Sequence, residues 1–231
     1  MSKPEHKQSI RQKFPPLYPI LDADLVLRGA AADRDQRHDF LRRLVRDLAE
    51  AGVEILQYRN KRDQDDVVAA DAQAMRDAAG PANHRTIHLI LNDRAPLVTV
   101  TGWDGVHVGQ DDLPPQQARQ LVGAASIVGL STHNEEQVIA ANAQPVDYIA
   151  IGPVFATASK SDTSPIIGLE GVRRARALTR KPLVAIGGIT LATAASVYAA
   201  GADCLAIISA IFAAPHRSPA QSAKDILEIF K

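Results

Sequence analysis

The sequence predicts an α/β protein folded as a single (β/α)8 TIM barrel. Three observations carry that reading. Eight short apolar runs alternate with segments of helical spacing, the chain has 231 residues, and no G-x-G-x-x-G turn follows the first run. A barrel of this kind uses roughly 250 residues, and the missing glycine fingerprint weighs against the rival arrangement, a doubly wound open sheet. With 46% hydrophobic and 23% charged residues, the composition suits one globular domain with a full core.

The elements follow in order. Residues 17–21 (LYPIL) form the first strand after Pro15 and Pro16. A polar loop over 22–37 follows; Phe40, Leu41, Leu44, Val45 and Leu48 then recur at helical spacing, which predicts a helix over 39–51 ended by Gly52. Residues 53–58 are the second strand, and 65–79 an alanine-rich helix stopped by Gly80 and Pro81. Residues 86–91 make the third strand, closed by Asn92, Asp93 and Arg94, and 105–108 the fourth, which runs into Gly109, Gln110, Asp111 and Asp112. Pro114 and Pro115 open a helix over 116–122, because a first helical turn does not need the N–H that proline lacks.

The same alternation continues through a strand at 126–130, a polar turn at 131–134 and a helix at 135–143. A strand at 147–151 leads into a long loop over 152–165, then a helix at 169–178 and a strand at 183–186. Gly187 and Gly188 make a turn, 191–199 a helix closed by Gly201, 203–208 the last strand and 220–230 the last helix. Residues 1–14 read as a flexible N-terminal tail and 15–231 as the catalytic barrel, with no second domain.

Charge and composition narrow the function classes. The 26 basic and 26 acidic residues cancel, so no polyanion or membrane surface is expected as a partner, and 4% aromatic content argues against stacking on single-stranded nucleic acid. The N-terminal segment is polar and basic without the apolar stretch of a secretory signal, and no run reaches transmembrane length, so a cytoplasmic location is expected. Cys204, the single cysteine, reads as strand filler that cannot form an internal disulfide. Trp103 and His107 read as packing and structural residues. Self-association into a homo-oligomer is left open.

In such a barrel the carboxyl ends of the strands share one face, where ligands bind. Asp93 and Asp112 would meet there. Two bare carboxylates repel, and a hard cation removes the repulsion; Mg²⁺ is commonly held by one or two carboxylates, with phosphate oxygens and water filling its shell. The plainer alternative makes these acids solvated loop residues near helix N-termini. Around them fall Gln57, Lys61, Asn92, Gln110, Ser131, Thr157, Ser159 and Lys160, a set suited to an anionic substrate. The N–H groups at Gly187 and Gly188, with those at Ile208 and Ser209, would form a phosphate cup after the last two strands, although a glycine pair can also be only a tight turn.

These residues resemble the thiamine phosphate synthase family from Leu17 to the last strand. The resemblance rests on QYRNK at 57–61, NDR at 92–94, GVHVGQDD at 105–112, GLSTHN at 129–134, GPVFATASK at 152–160, AIGGI at 185–189 and ISAI at 208–211. It implies a transferase that joins 4-amino-5-hydroxymethyl-2-methylpyrimidine diphosphate to 4-methyl-5-(2-phosphoethyl)thiazole, or its carboxylate, releasing pyrophosphate. It further implies Mg²⁺ on Asp93 and Asp112, and the pyrimidine diphosphate on Gln57, Lys61, Asn92, Ser131 and Lys160. Tyr58, Arg59 and Asn60 are candidate contacts within the same motif. Thr157, Ala158, Ser159, Gly188, Ile208 and Ser209 are candidates for the thiazole phosphate, and Lys61, Lys160 and Ser131 for catalysis. Asn60, Ala156 and Ser159 stand where the family commonly has Glu, Pro and Thr. The rival readings are a thiazole tautomerase on the same barrel, a phosphate-binding barrel without catalysis, and another phosphosugar barrel enzyme, which would use the glycine turn but not the NDR and GQDD acids.

Overall fold

The computed structural model describes residues 14–27, 33–80, 87–157 and 164–231. Eight strands, β1 (Leu17–Asp22), β2 (Ile55–Arg59), β3 (His88–Asn92), β4 (Gly105–Val108), β5 (Ile127–Thr132), β6 (Tyr148–Ile151), β7 (Leu183–Ile186) and β8 (Cys204–Ile207), close into a barrel in chain order. Every neighbouring pair is parallel, including β8 with β1, where Leu17 pairs with Leu205 and Pro19 with Ile207. The expected barrel is therefore the observed one. Closure leaves no strand edge unpaired, which removes the usual liability of a sheet.

Alternation along each strand divides the apolar residues into two cores. One parity points into the barrel: Tyr18, Ile20, Ile55, Ile90, Ile127, Tyr148, Val184, Cys204 and Ala206 pack together there, capped by Phe14. The other parity, with Leu17, Leu21, Leu56, Leu89, Val106, Val128, Ile149 and Leu205, packs under the helices. Cys204 is buried in the inner core, as its apolar run suggested. Trp103 is buried in the outer layer, where its indole N–H donates to the Ala72 carbonyl at 2.9 Å.

Several boundaries differ from expectation. The first long helix spans Arg34–Glu50, starting five residues earlier than its apolar spacing implied, because Asp33 caps it by accepting from the Asp35 N–H at 2.9 Å. Its first turn is polar and carries no periodic signal. Ser131 lies in β5 and not in the following turn; the helix Glu135–Asn142 is instead capped by Asn134, which accepts from the Gln137 N–H. Short helices at Ala23–Val26 and Ser209–Phe212 occupy stretches read as loop, and the last helix, Pro219–Leu227, ends in a 3₁₀ turn at Glu228–Phe230. Phe14, assigned to the tail, is buried, its ring centroid 5.0 Å from that of Tyr148. The rest of the expected tail, residues 1–13, lies outside the described residues, as do Pro81 and Thr86. Among the described residues no helix is long and apolar enough to cross a membrane.

Candidate active site at the barrel mouth

Strand parity decides which residues reach the mouth. Continuing inward from the apolar layer, the C-terminal ends present Asp22, Gln57, Arg59, Asn92, His107 and Ser131. Tyr58 has the opposite parity. It faces the helices, where its hydroxyl donates to buried Asp71 at 2.5 Å and accepts from the Asn60 amide at 3.0 Å. Tyr58 is thus not brought to the mouth with its neighbours. Asn60 is also turned away from it: the side chain is buried, donates to Asp63 at 2.9 Å and accepts from the Arg62 and Asp63 N–H groups. Its role in the structure is to close the turn that displays Lys61.

That turn is held from outside as well. Arg37 bonds Asp63 and Asp71, and Arg94 donates to the carbonyls of Asn60 and Asp63 at 3.2 and 2.8 Å. Burial of the Asp71 carboxylate is tolerable because the arginine and the Tyr58 hydroxyl satisfy it. Arg59 reaches the mouth but is already paired with Asp22, a nearly buried acid that also caps Ala23–Val26.

At the centre of the rim, Asp93 and Asp112 come together. Asp93 has a φ of 62°, a left-handed conformation uncommon for a residue with a side chain but tolerated by aspartate. Its N–H donates to the His107 carbonyl at 2.8 Å, and the Asn92 amide donates to its carboxylate at 2.6 Å. Asp112 is anchored by the Gly109 N–H at 2.8 Å. The Lys61 ammonium contacts Asp93 and lies 3.9 Å from Asp112 Oδ1. Burial, reinforced by the hydrogen bond and charge of Asp112, pushes the Asp93 carboxyl up to about 6. Burial also works to raise Asp112, but the bond from Asp93, the Gly109 N–H and Lys61 outweigh it and hold Asp112 below the ordinary carboxylate range. The two groups titrate as a pair, and Asp93 takes the first proton as the pH falls.

This donor set fits Mg²⁺. Two hard carboxylates, one raised chiefly by burial and further by the charge of the other, would gain from a dication between them. Among the described residues no group of three or more His, Cys, Asp and Glu side chains converges; a pair of carboxylates is the number of protein ligands Mg²⁺ commonly takes.

Across the mouth, Thr157, Gly187, Gly188, Ile208 and Ser209 line a small hollow. Gly187 and Gly188 have φ values of 103° and 63°, and a Cβ at Gly188 would stand 2.5 Å from the Ala156 carbonyl. The pair is therefore a tight turn and also a wall of the hollow; the two readings are compatible. Ala158, Ser159 and Lys160 lie outside the described residues. Gln110 is exposed and donates to the Ser131 carbonyl at 2.5 Å. A larger hollow, about 1660 Å³, opens at the other end of the barrel beside Phe14, Arg176, Arg180 and Phe230, away from all these groups.

His107 is the residue whose place sequence reasoning understated. It sits inside the barrel between the Tyr148 hydroxyl at 2.9 Å and the Ser131 hydroxyl at 2.8 Å. Its inward parity with Asn92 and Ser131 was the available signal.

A closed (β/α)8 barrel whose strand ends carry an acid pair, a lysine and a glycine-walled hollow is a barrel of the enzyme class that places its site at the carboxyl ends of the strands. A family model described as thiamine monophosphate synthase matches residues 30–211. The chain is 43% identical over 217 residues to the thiamine-phosphate synthase of Koribacter versatilis, covering 94% of this chain and 96% of that one. It is 39% identical over 189 residues to that of Chloroflexus aurantiacus, covering 82% and 84%. The thiamine phosphate pyrophosphorylase structure from Pyrococcus furiosus superposes with a TM-score of 0.78 at 26% identity over 95% of this chain and 96% of that one. The chain belongs to the thiamine-phosphate synthase family.

Proposed function

We propose that this transferase couples 4-amino-5-hydroxymethyl-2-methylpyrimidine diphosphate with 4-methyl-5-(2-phosphoethyl)thiazole, or its carboxylate, to give thiamine phosphate and pyrophosphate. Membership of the thiamine-phosphate synthase family supports the coupling reaction, and the observation that carries the site reading is the Asp93–Asp112–Lys61 cluster beside Asn92 and Ser131. Asp93 and Asp112 would hold Mg²⁺, which, when bound, supplies positive charge to the diphosphate oxygens.

The bond that breaks joins the pyrimidine methylene carbon to the diphosphate oxygen, and its electron pair leaves with pyrophosphate. The electron-rich aminopyrimidine stabilises the methylene cation, so the displacement is dissociative. The thiazole nitrogen then supplies the pair for the new C–N bond. No protein nucleophile is required. Lys61 meets charge as it develops on the departing group, and Lys160 is assigned the same part; such preorganised charge is the largest single contribution in many enzymes. Gln57 and Ser131 orient the pyrimidine. Backbone N–H groups at Gly188 and Ser209, with Thr157 and the neighbouring Ala158 and Ser159, would seat the thiazole phosphate and aim its nitrogen at the reacting carbon. Arg59 acts from its pair with Asp22. Neither nucleic acid nor a membrane enters this reaction, and assembly as a homo-oligomer is compatible with it.

The test is formation of thiamine phosphate and pyrophosphate from the two purified substrates, with Mg²⁺ present and then chelated. Metal-dependent, equimolar formation of both products is expected. Conversion of a thiazole isomer without coupling would replace the reading by a tautomerase, and tight binding without turnover by a silent barrel.

A further inference from the structure

A chain of buried hydrogen bonds crosses the inside of the barrel from Gln57 to Ser131. The Gln57 amide Nε2 donates to the Tyr18 hydroxyl at 3.0 Å. Tyr18 and Tyr148 share a bond at 3.0 Å, Tyr148 bonds His107 Nδ1 at 2.9 Å, and His107 Nε2 bonds the Ser131 hydroxyl at 2.8 Å. The links join β1, β2, β4, β5 and β6, so only the closed barrel assembles them. The rings are held firmly: Tyr148 stacks on His107 with centroids 5.5 Å apart and an interplanar angle of 21°, and meets Tyr18 edge-on at 5.9 Å. Gly129 lies against the Tyr148 ring so closely that a Cβ there would overlap it.

Counting protons fixes the direction of every link. An amide NH₂ can only donate, so the Tyr18 oxygen accepts from Gln57. Tyr18 then has one proton to place, and its remaining partner in the chain is the Tyr148 oxygen; the reverse would leave a phenol proton without an acceptor in the barrel core, which is costly. Tyr148 in turn donates to His107 Nδ1. A neutral imidazole accepting at Nδ1 carries its proton on Nε2 and donates it to the Ser131 oxygen. The Ser131 proton is thereby left for the mouth, and at the other end the Gln57 carbonyl is left to accept. Burial pushes both tyrosine hydroxyls well above their ordinary value, which keeps them protonated as the count requires.

We infer that Tyr18, Tyr148 and His107 are positioning residues that tie Gln57 and Ser131 into one acceptor–donor pair matched to an aminopyrimidine. Its exocyclic amino group donates and its ring nitrogen accepts, the complement of what the relay presents. A 4-oxopyrimidine offers the opposite pattern and would require every link to reverse together. Discrimination at the mouth is thus set by groups that do not touch the substrate. The inference rests on the proposed function for its choice of ligand, and on the hydrogen bonds alone for its polarity.

Two measurements test it separately. In the ligand-free protein at neutral pH, ¹⁵N chemical shifts of the His107 ring should report the Nε2–H tautomer; an Nδ1–H tautomer or a doubly protonated ring overturns the assigned polarity. In steady-state kinetics, Tyr148→Phe cuts the relay, so the kcat/KM preference for the 4-amino over the 4-oxo pyrimidine diphosphate should fall about tenfold or more, the worth of an oriented buried hydrogen bond. KM for the thiazole phosphate should stay at its wild-type value. Tyr18→Phe cuts the next link, should act in the same direction, and substitutes for the first variant if that one does not fold. An unchanged preference in a folded variant overturns the relay. A wild-type protein that couples neither pyrimidine would refute the functional reading, and the tautomer would still decide the relay.

Discussion

The carboxyl groups of Asp93 and Asp112 lie together on one side of the barrel mouth, close enough for each to shift the other's titration, although they follow different strands. As the pH falls, the pair takes up its first proton at Asp93, whose carboxyl is pushed up to about 6 while Asp112 is held low. Lys61 leans on the pair from the turn after β2 and partly neutralises it. Without a dication the site is a strained arrangement of charge, and its chemistry depends on pH.

Binding of Mg²⁺ should therefore release a proton at acid pH. With Asp93 titrating near 6, the apparent Kd for Mg²⁺ is expected to be flat above pH 7 and to rise about tenfold for each unit below 6. Calorimetric titrations at pH 5, 6, 7 and 8 in buffers of different ionisation enthalpy measure both the Kd and the protons released. A Kd independent of pH would show that Asp93 is not a ligand.

The same carboxyl weakens the metal-free fold. A raised folded-state pKa means that the stability Asp93 contributes is present below its ordinary value of 3.8 and is lost as the pH rises through about 6. Asp93→Asn removes the charge and should make the chelated protein more stable by about 1 kcal/mol at pH 8, with the gain vanishing below pH 4. Turnover should fall by at least about a thousandfold, since the proposed Mg²⁺ site would lose a ligand. Denaturant midpoints at the two pH values, with a chelator present, decide the first point; a variant less stable than wild type at pH 8 would contradict it.

Asn60 makes four hydrogen bonds inside its own turn and to Tyr58. Replacing it with alanine leaves buried partners unsatisfied and should cost about 1–3 kcal/mol of stability. The turn would then hold Lys61 less firmly. KM for the pyrimidine diphosphate is expected to rise several-fold, with a smaller change for the thiazole phosphate. Equal effects on both substrates would place Asn60 outside the display of Lys61.

The barrel was legible in the sequence because its signal repeats: eight apolar runs, each followed by a helical segment, need no single run to be decisive. The acid pair was legible for the same reason, since Asp93 directly follows β3 and Asp112 lies in the short turn after β4. Tyr58 shows where reading by motif departs from reading by geometry. It lies between Gln57 and Arg59, but alternation places it on the opposite face, and that parity was available from the spacing alone. Asp33 as a cap was also visible, but the polar first turn it starts gave no periodicity to confirm it. The interior relay was not legible. His107 bonds partners 24 and 41 residues away, and those contacts exist only through the register of five strands.

Gly188 gives the sharpest test of the opposite wall. At a φ of 63°, with the Ala156 carbonyl 2.5 Å from where a Cβ would stand, the position admits no side chain without movement of the loop that carries Thr157. Gly188→Ala should therefore strain the turn, and Gly188→Asp should in addition set a negative charge against the thiazole phosphate. Calorimetry is expected to show binding of the thiazole phosphate weakened about tenfold or more in the alanine variant and further in the aspartate variant. Mg²⁺ affinity, which the proposed site at Asp93 and Asp112 on the other side of the mouth would set, should not change. If both variants bound the thiazole phosphate as wild type does, the hollow beside Gly188 and Ser209 would not be its phosphate site; if the two variants were equally impaired, strain alone would explain the loss and the anion would lie elsewhere.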